Sequence, residues 1–271
     1  MKCCICGAVK NVACFLDKVF ENMEKIGTLF DDYAIILCYD NSCDDTLQKI
    51  KDYQIKNSRV NLYVNKSEFS PYRTHRLAFA RNKCLDMIRA KYSNYEMFIM
   101  MDCDNVCSGN INLDPIKKNL YRNGWDALSF NRSDYYDIWA LSIRPYVFSF
   151  LHFHPNAFGK MKKYIQDILE NAPRDKLIKC SSAFNGFAIY RASKFLNCFY
   201  DGRIRLDLIP SNYIQRNIIV NNSPIVYKES FEDGFGDGVN GRFEDCEHRA
   251  FHLEAIRKNG AKIRISPEII F

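Results

Sequence analysis

Residues 97–106 read MFIMMDCDNV, five apolar residues followed by two aspartates one residue apart. Asp and Asn are ordinary turn formers, so Asp102 and Asp104 can be read as the polar turn after a buried strand. They can equally be read as a metal site, since carboxylates at alternate positions off a strand end can grip one hard divalent cation together. Three other stretches carry suitable side chains. In DNSCDDT (40–46), Asp44 or Asp45 can cap the helix that follows, whereas Asp40 has no such role and is free to meet a base or ribose. In RTHRLAFARNKCLDMI (73–88), a helical reading puts Leu77, Ala80, Cys84, Met87 and Ile88 on an inward stripe and Arg81 on the same stripe. A guanidinium there must be ion-paired or must line a site, because an unpaired buried charge is costly; it can hold Asp102 and face a ligand together. In RFEDCEHRAFH (242–252), Asp245, His248, Arg249 and His252 share one face if the segment is helical, a set able to supply a base and a metal ligand. A solvated charged face is the plainer reading of the same spacing.

These residues need a frame. An apolar Cys/Ile/Val run at 2–8 is ended by Gly7, and Val12, Phe15, Leu16, Val19, Met23 and Ile26 form a helical stripe over 12–26. YAIILCY (33–39) is a continuous apolar run of the kind found in strands buried on both faces. A helix near 45–56, a strand at 59–64, a helix through the AFARN segment and the strand EMFIMM complete a strand–helix alternation without hairpin signals. That pattern predicts a parallel sheet with right-handed crossovers, whose ligands sit at the carboxyl ends of the strands, where Asp40 and Asp102 lie. The second half is less regular: an aromatic stretch (DYYDIWALSIRPYVFSF), a basic helix-like stretch, a glycine-rich segment at 232–245 placed as an active-site lid, a helix at 245–258 and a strand, AKIRIS.

The 271 residues carry a net charge of +6, with basic residues scattered and no patch of the kind that grips nucleic acid. No run approaches the 18 apolar residues of a membrane span. The expectation is a soluble, cytoplasmic chain, with peripheral membrane association left open. Twelve cysteines in a chain without export signals read as small buried hydrophobes; Cys3, Cys4 and Cys6 belong to the first strand rather than to a zinc site.

Taken in order, these motifs resemble those of the A-type-fold (GT-A) nucleotide-sugar glycosyltransferases. Asp40 with Asp44 stands as D-x-S-x-D-x-T, Arg81-Asn82 as A-R-N, Asp102-Cys103-Asp104 as D-x-D, Asn185-Gly186 in NGFAIYR, and Glu244-Asp245 as the late acidic pair. Within that class, RLAFARN with DCEH looks most like small viral, fungal and bacterial enzymes of the capsule-type mannosyltransferase group. The resemblance implies a mostly parallel mixed α/β sheet flanked by helices, in one domain over 1–271, with a nucleotide-sugar donor half at 1–108 and an acceptor half at 109–271. It implies transfer of a sugar from a UDP- or GDP-sugar to a glycan or glycoconjugate hydroxyl, with inversion, assisted by Mn²⁺ or Mg²⁺. Asp102 and Asp104 would hold the metal, with His248 or His252 as a further ligand. Asp40, Asp44, Arg76, Arg81, Asn82, Asp102, Cys103, Asn185 and Gly186 would contact the donor. Asp245 would be the base, with Glu244 and Glu247 beside it. A sugar-phosphate nucleotidyltransferase is the nearest rival enzyme, although GAVKN is a poor phosphate loop, and a non-catalytic sugar-binding module is the non-enzyme alternative.

Overall fold

The computed structural model describes residues 1–67, 70–147, 157–212, 214–215, 231–232, 238–239 and 243–271. Its first half is the expected alternation: β1 (Lys2–Val9), α1 (Leu16–Gly27), β2 (Asp32–Tyr39), α2 (Thr46–Lys56), β3 (Val60–Val64), α3 (Arg73–Lys91) and β4 (Met97–Met101). There follow α4 (Asp114–Leu120), β5 (Ala127–Asn131), α5 (Ala157–Asn171), β6 (Ile178–Cys180), β7 (Phe187–Arg191) and the single turn α6 (Ala192–Phe195). A short ribbon, β8 (Phe231–Glu232) with β9 (Gly238–Val239), precedes α7 (Glu247–Asn259) and β10 (Ile263–Ile269). Eight strands form one sheet in the order β3-β2-β1-β4-β7-β5-β10-β6. β3, β2, β1 and β4 run parallel, β7 is antiparallel between β4 and β5, and β10 lies parallel to β5 and antiparallel to β6.

The centre of the sheet is buried on both faces, which is why its strands are continuous apolar runs rather than alternating ones. In β1, Cys3 and Ile5 join the cluster on one face, with α1, while Cys4 and Cys6 join the cluster on the other, with α3 and α7. All twelve cysteines are free. The strand order reverses direction at β1, where β2 lies on one side and β4 on the other. The crevice outside the carboxyl ends of these strands is the position at which open α/β sheets take ligands.

Two helices begin later than their sequence pattern predicts. Residues 12–15 turn before α1, because the Val12 N–H donates to Thr46 Oγ1 at 2.9 Å and the Phe15 N–H to the Val12 carbonyl. α7 begins at Glu247, since Asp245 Oδ1 accepts the N–H of Cys246 and holds those residues in a turn. In α3 the buried line is Thr74, Ala78, Arg81, Leu85 and Ile88, with Ala80 and Cys84 beside it; Leu77 and Met87 are only half-buried. The glycine-rich lid expected at 232–245 lies for the most part outside the described residues.

Candidate active site

β4 delivers Asp102 and Asp104 to the crevice, and their surroundings hold them by backbone geometry. The N–H of Asp102 donates to the carbonyl of Gly186 at 2.9 Å, across the β4–β7 seam. Asn185 and Gly186 both take positive φ (56° and 84°), and a Cβ on Gly186 would stand 2.4 Å from Val106 Cγ1 and 3.6 Å from Asp102 Oδ2. Gly186 is therefore what lets this turn close against the D-x-D. Asn185 is buried, with its amide donating to the Phe130 carbonyl and its backbone N–H to Asp137 Oδ2. The Asn-Gly pair thus buttresses Asp102 from behind. From the other side, buried Asn22 of α1 donates to the carbonyls of Cys107 and Gly109, pinning the loop that follows Asp104.

Cys103 faces the core, almost fully buried, so the sequence expectation that it contacts the donor is corrected. Its sulfur occupies the space left by Gly7, where a Cβ would meet it at 2.2 Å. Gly7→Ala is accordingly expected to push Cys103 and to shift both flanking aspartates, lowering stability by about 1–3 kcal/mol. Divalent-metal titration and thermal melts would show both losses, and Cys103→Gly in the same chain should restore them.

Asp104 Oδ1 accepts the N–H of Val106 at 3.0 Å, fixing the short turn Asn105–Cys107. Burial and then the neighbouring charge of Asp102 push the Asp104 carboxyl up to about 6, against a weaker pull from Arg73. A carboxylate whose proton affinity is raised by burial beside a second carboxylate is stabilised by a cation between the two, and their hard oxygens suit Mg²⁺ or Mn²⁺. Among the described residues no group of three or more His, Cys, Asp or Glu gathers around a common point. Two protein carboxylates with the remaining positions taken by phosphate oxygens and water is, however, the usual way Mg²⁺ is bound.

Arg81 is the hub of the site. It is almost fully buried, its Nη2 donates to Asp102 Oδ1 at 3.2 Å, and its Nη1 meets Glu247 Oε1. Its guanidinium lies over the rings of Phe184 (4.8 Å) and Tyr200 (5.9 Å). The expected clamp on Asp102 is present, and Glu247 is its second arm. Asp102 Oδ2 accepts a further hydrogen bond from the hydroxyl of Tyr136 at 3.0 Å.

The remaining predicted site residues fall into two groups. Asp40 sits at the carboxyl end of β2, one-fifth exposed, 3.3 Å from Lys10 Nζ and accepting from Asn65 at 3.1 Å. Arg76 donates to the carbonyls of Ser70 and Pro71, at the chain segment leading into α3. The others are committed to structure. Asp44 accepts the N–H groups of Ala13 and Thr46, one on each oxygen, and so builds the turn. Asn82 is paired twice with the backbone of Tyr200, through Nδ2 to the carbonyl and Oδ1 from the N–H, which corrects its assignment to the donor. Glu244 is fully buried and accepts from the N–H and hydroxyl of Thr74. Asp245, also buried, pairs with Arg249 at 3.0 Å, and Arg249 in turn donates to the Leu141 carbonyl and to Ser142 and Trp139.

His252 has both ring nitrogens engaged, and His248 lies in the aromatic layer beside it. His252 is fully buried, with Nδ1 on Ser182 Oγ at 2.9 Å and Nε2 on the Tyr190 hydroxyl at 3.1 Å, so neither nitrogen has a lone pair for a metal. His248 stacks on Phe184 at 3.8 Å, edge-on to Tyr200, inside the same aromatic layer. Burial, with Arg249 and Arg81 behind it, lowers His252 to about 3; burial, Arg81 and His252 hold His248 well below its ordinary range.

Three residues not singled out in the sequence belong to the site. Tyr136 touches Asp102 directly. Asp137 accepts the N–H groups of Ala140 and Asn185, and burial, with Asp102 adding to it, raises its carboxyl above the usual range. Arg73, at the start of α3, acts electrostatically on Asp104. Tyr136 and Asp137 sit in an aromatic stretch without periodicity, which carries no signal of the strand end it returns to. A separate cavity of about 430 Å³, lined by Leu208, Ile209, Pro210, Leu253 and Ile256 among others, contains none of these groups.

Three solved structures similar to this chain each hold a nucleotide or a nucleotide sugar. S. aureus TarS in complex with UDP-GlcNAc is 12% identical, with a TM-score of 0.50 over 100% of this chain and 57% of its own. The mannosyltransferase PcManGT from Pyrobaculum calidifontis, with GDP-Man and Mn²⁺, is 11% identical over 73% of this chain and 47% of its own, TM-score 0.43. Glucosyl-3-phosphoglycerate synthase from Mycobacterium tuberculosis, with Mg²⁺ and UDP, is 11% identical over 72% and 57%, TM-score 0.37. The chain thus spans about half the length of these proteins, and at such identities the likeness bears on fold alone. No curated protein matches. The profile of Glycosyl transferase family 2 matches residues 4–196, most of the chain, and on that ground the chain belongs to glycosyl transferase family 2.

Proposed function

We propose that this protein transfers a sugar from a UDP- or GDP-sugar to a hydroxyl of a glycan or glycoconjugate acceptor. The observation that carries the reading is the pair Asp102 and Asp104 at the carboxyl end of β4, beside the end of β1, in a chain of glycosyl transferase family 2. In the reaction the bond between the anomeric carbon and the diphosphate oxygen breaks, the acceptor oxygen bonds to that carbon, and the acceptor proton passes to a carboxylate. A divalent cation bound at Asp102 and Asp104 would neutralise the charge gained by the leaving diphosphate. Asp40 reaches toward the base and ribose from the end of β2. Tyr136 and Arg81 fix the rotamer of Asp102, and the Asn185-Gly186 turn fixes its backbone.

For the base, the local geometry favours Glu247 over Asp245. Both carboxylates are paired with a buried arginine, Asp245 with Arg249 and Glu247 with Arg81, but the arginine of Glu247 also holds Asp102 of the D-x-D. With a protein base taking the acceptor proton in a single displacement, the anomeric configuration inverts. Glu247→Gln is then expected to lower transfer by about 10²–10⁴-fold at saturating donor and metal. Asp245→Asn is expected to act chiefly on stability, costing about 3–5 kcal/mol by leaving Arg249 buried and unpaired. Single-turnover transfer and thermal melts on both variants decide between them. Full stability with lost transfer in Asp245→Asn returns the base role to Asp245. A binding module, by contrast, would bind the nucleotide sugar without turnover.

No described helix is long and apolar enough to cross a membrane.

A further inference from the structure

We propose that Arg81 is a positioning residue that couples metal binding at the D-x-D to the acceptor-side carboxylate Glu247, so that each strengthens the other. The inference rests on the metal reading of Asp102 and Asp104. Its basis is one buried guanidinium shared by two carboxylates that belong to different parts of the reaction. Nη2 lies 3.2 Å from Asp102 Oδ1 and Nη1 contacts Glu247, whose side chain is as buried as that of Arg81 itself. The guanidinium lies over the Phe184 and Tyr200 rings, which leaves it little freedom to find other partners. Its Nε–H has no acceptor among the described residues, so the two carboxylates are what satisfies its charge. His248 Nε2, the other nearby polar group, is 3.8 Å from Glu247 and brings no negative charge.

A cation on Asp102 competes with Arg81 for the same carboxylate. With Glu247 present, Arg81 can yield Asp102 to the metal and remain paired. Without it, Arg81 has Asp102 alone, and the metal must displace a buried ion pair. By linkage, a metal that withdraws Asp102 leaves Arg81 wholly on Glu247 and fixes that carboxylate in place. Donor loading therefore sets the acceptor side through one side chain.

The test is Mn²⁺ titration of the full chain, alone and with excess UDP or GDP, followed by loss of the free-ion electron-paramagnetic-resonance signal. Glu247→Gln is expected to weaken Mn²⁺ binding roughly tenfold, within the ordinary range of coupling between sites. Glu247→Asp keeps the charge but draws it back from Arg81, and is expected to weaken binding in the same direction. In an Arg81→Gln background, Glu247→Gln should change Mn²⁺ affinity little. Equal losses in both backgrounds, or an unchanged affinity in Glu247→Gln, overturn the coupling. If Arg81→Gln does not fold, Glu247→Asp decides: unchanged affinity means a field acting through space and overturns the proposal. Absence of Mn²⁺ binding by the wild-type protein overturns the metal reading itself and the coupling with it, whereas wild-type binding that is indifferent to Glu247 overturns the coupling alone.

Discussion

Asp104→Asn is expected to lower sugar transfer by at least roughly 10²–10³-fold and at the same time to raise the melting temperature of the metal-free protein. The first effect follows, on the proposed function, from removing one of the two carboxylates that would hold a cation, whose charge would stabilise the leaving diphosphate. The second follows from the same electrostatics with the sign worked out. Burial and Asp102 raise the Asp104 carboxyl from 3.8 to about 6. The folded protein thus holds this proton more tightly than the unfolded chain, and metal-free stability falls as pH rises through that window. At about 1.4 kcal/mol per tenfold change in proton affinity, the ionised carboxylate costs about 3 kcal/mol at neutral pH, of which a neutral Asn recovers a part. Asn also keeps an oxygen for the N–H of Val106. Thermal melts at pH 7 in EDTA and in Mn²⁺ check this: the ion should stabilise the wild-type protein and leave the variant unmoved. A variant less stable than wild type in EDTA would mean that Asp104 is a structural turn residue only.

Mild acid is expected to destabilise the protein, through two histidines rather than the carboxylates. His248 and His252 are buried and neutral, with His252 lowered to about 3 by burial and then by Arg249 and Arg81. In the unfolded chain both titrate near 6.5. The unfolded state therefore binds protons that the folded state refuses, so the stability these groups contribute is complete above pH 6.5 and is lost as pH falls below it. His252 adds a slope of about 1.4 kcal/mol per pH unit and removes about 3 kcal/mol by pH 4.5, and His248 acts in the same direction. Glu247 does not rescue His248, because Arg81 already neutralises it. Urea denaturation between pH 7 and 4.5 gives the slope, and His252→Gln should lower stability at pH 7 but roughly halve the acid dependence. A flat profile would mean that the histidines are charged in the folded state, and would reopen their reading as polar ligands.

The sheet was legible where the sequence signal is local. YAIILCY, the cysteine-rich first strand and MFIMM are apolar runs buried on both faces, and they lie where the alternation put them. The insertion of antiparallel β7 between β4 and β5 has no local signature, because strand order is set by contacts between residues far apart in the chain. The site divides in the same way. Asp102 and Asp104 follow from a strand running into acid, and the pairing of Arg81 with Asp102 follows from a cation on a buried stripe. That Glu247 completes the pairing, that Asn82 serves the backbone of Tyr200, and that Tyr136 reaches Asp102 depend on chain returns that no spacing encodes. His248 and His252 share their spacing with metal-binding pairs, and only the aromatic and hydroxyl partners around them turn that spacing into core.

The central claim is tested most directly by incubating wild type and Asp104→Asn with a panel of UDP- and GDP-sugars, in Mn²⁺ and in EDTA, and measuring release of the nucleoside diphosphate. The account predicts release from one donor, dependent on the metal and lost in Asp104→Asn. Release from no donor, with no metal-dependent nucleotide binding by the wild-type protein, would contradict it.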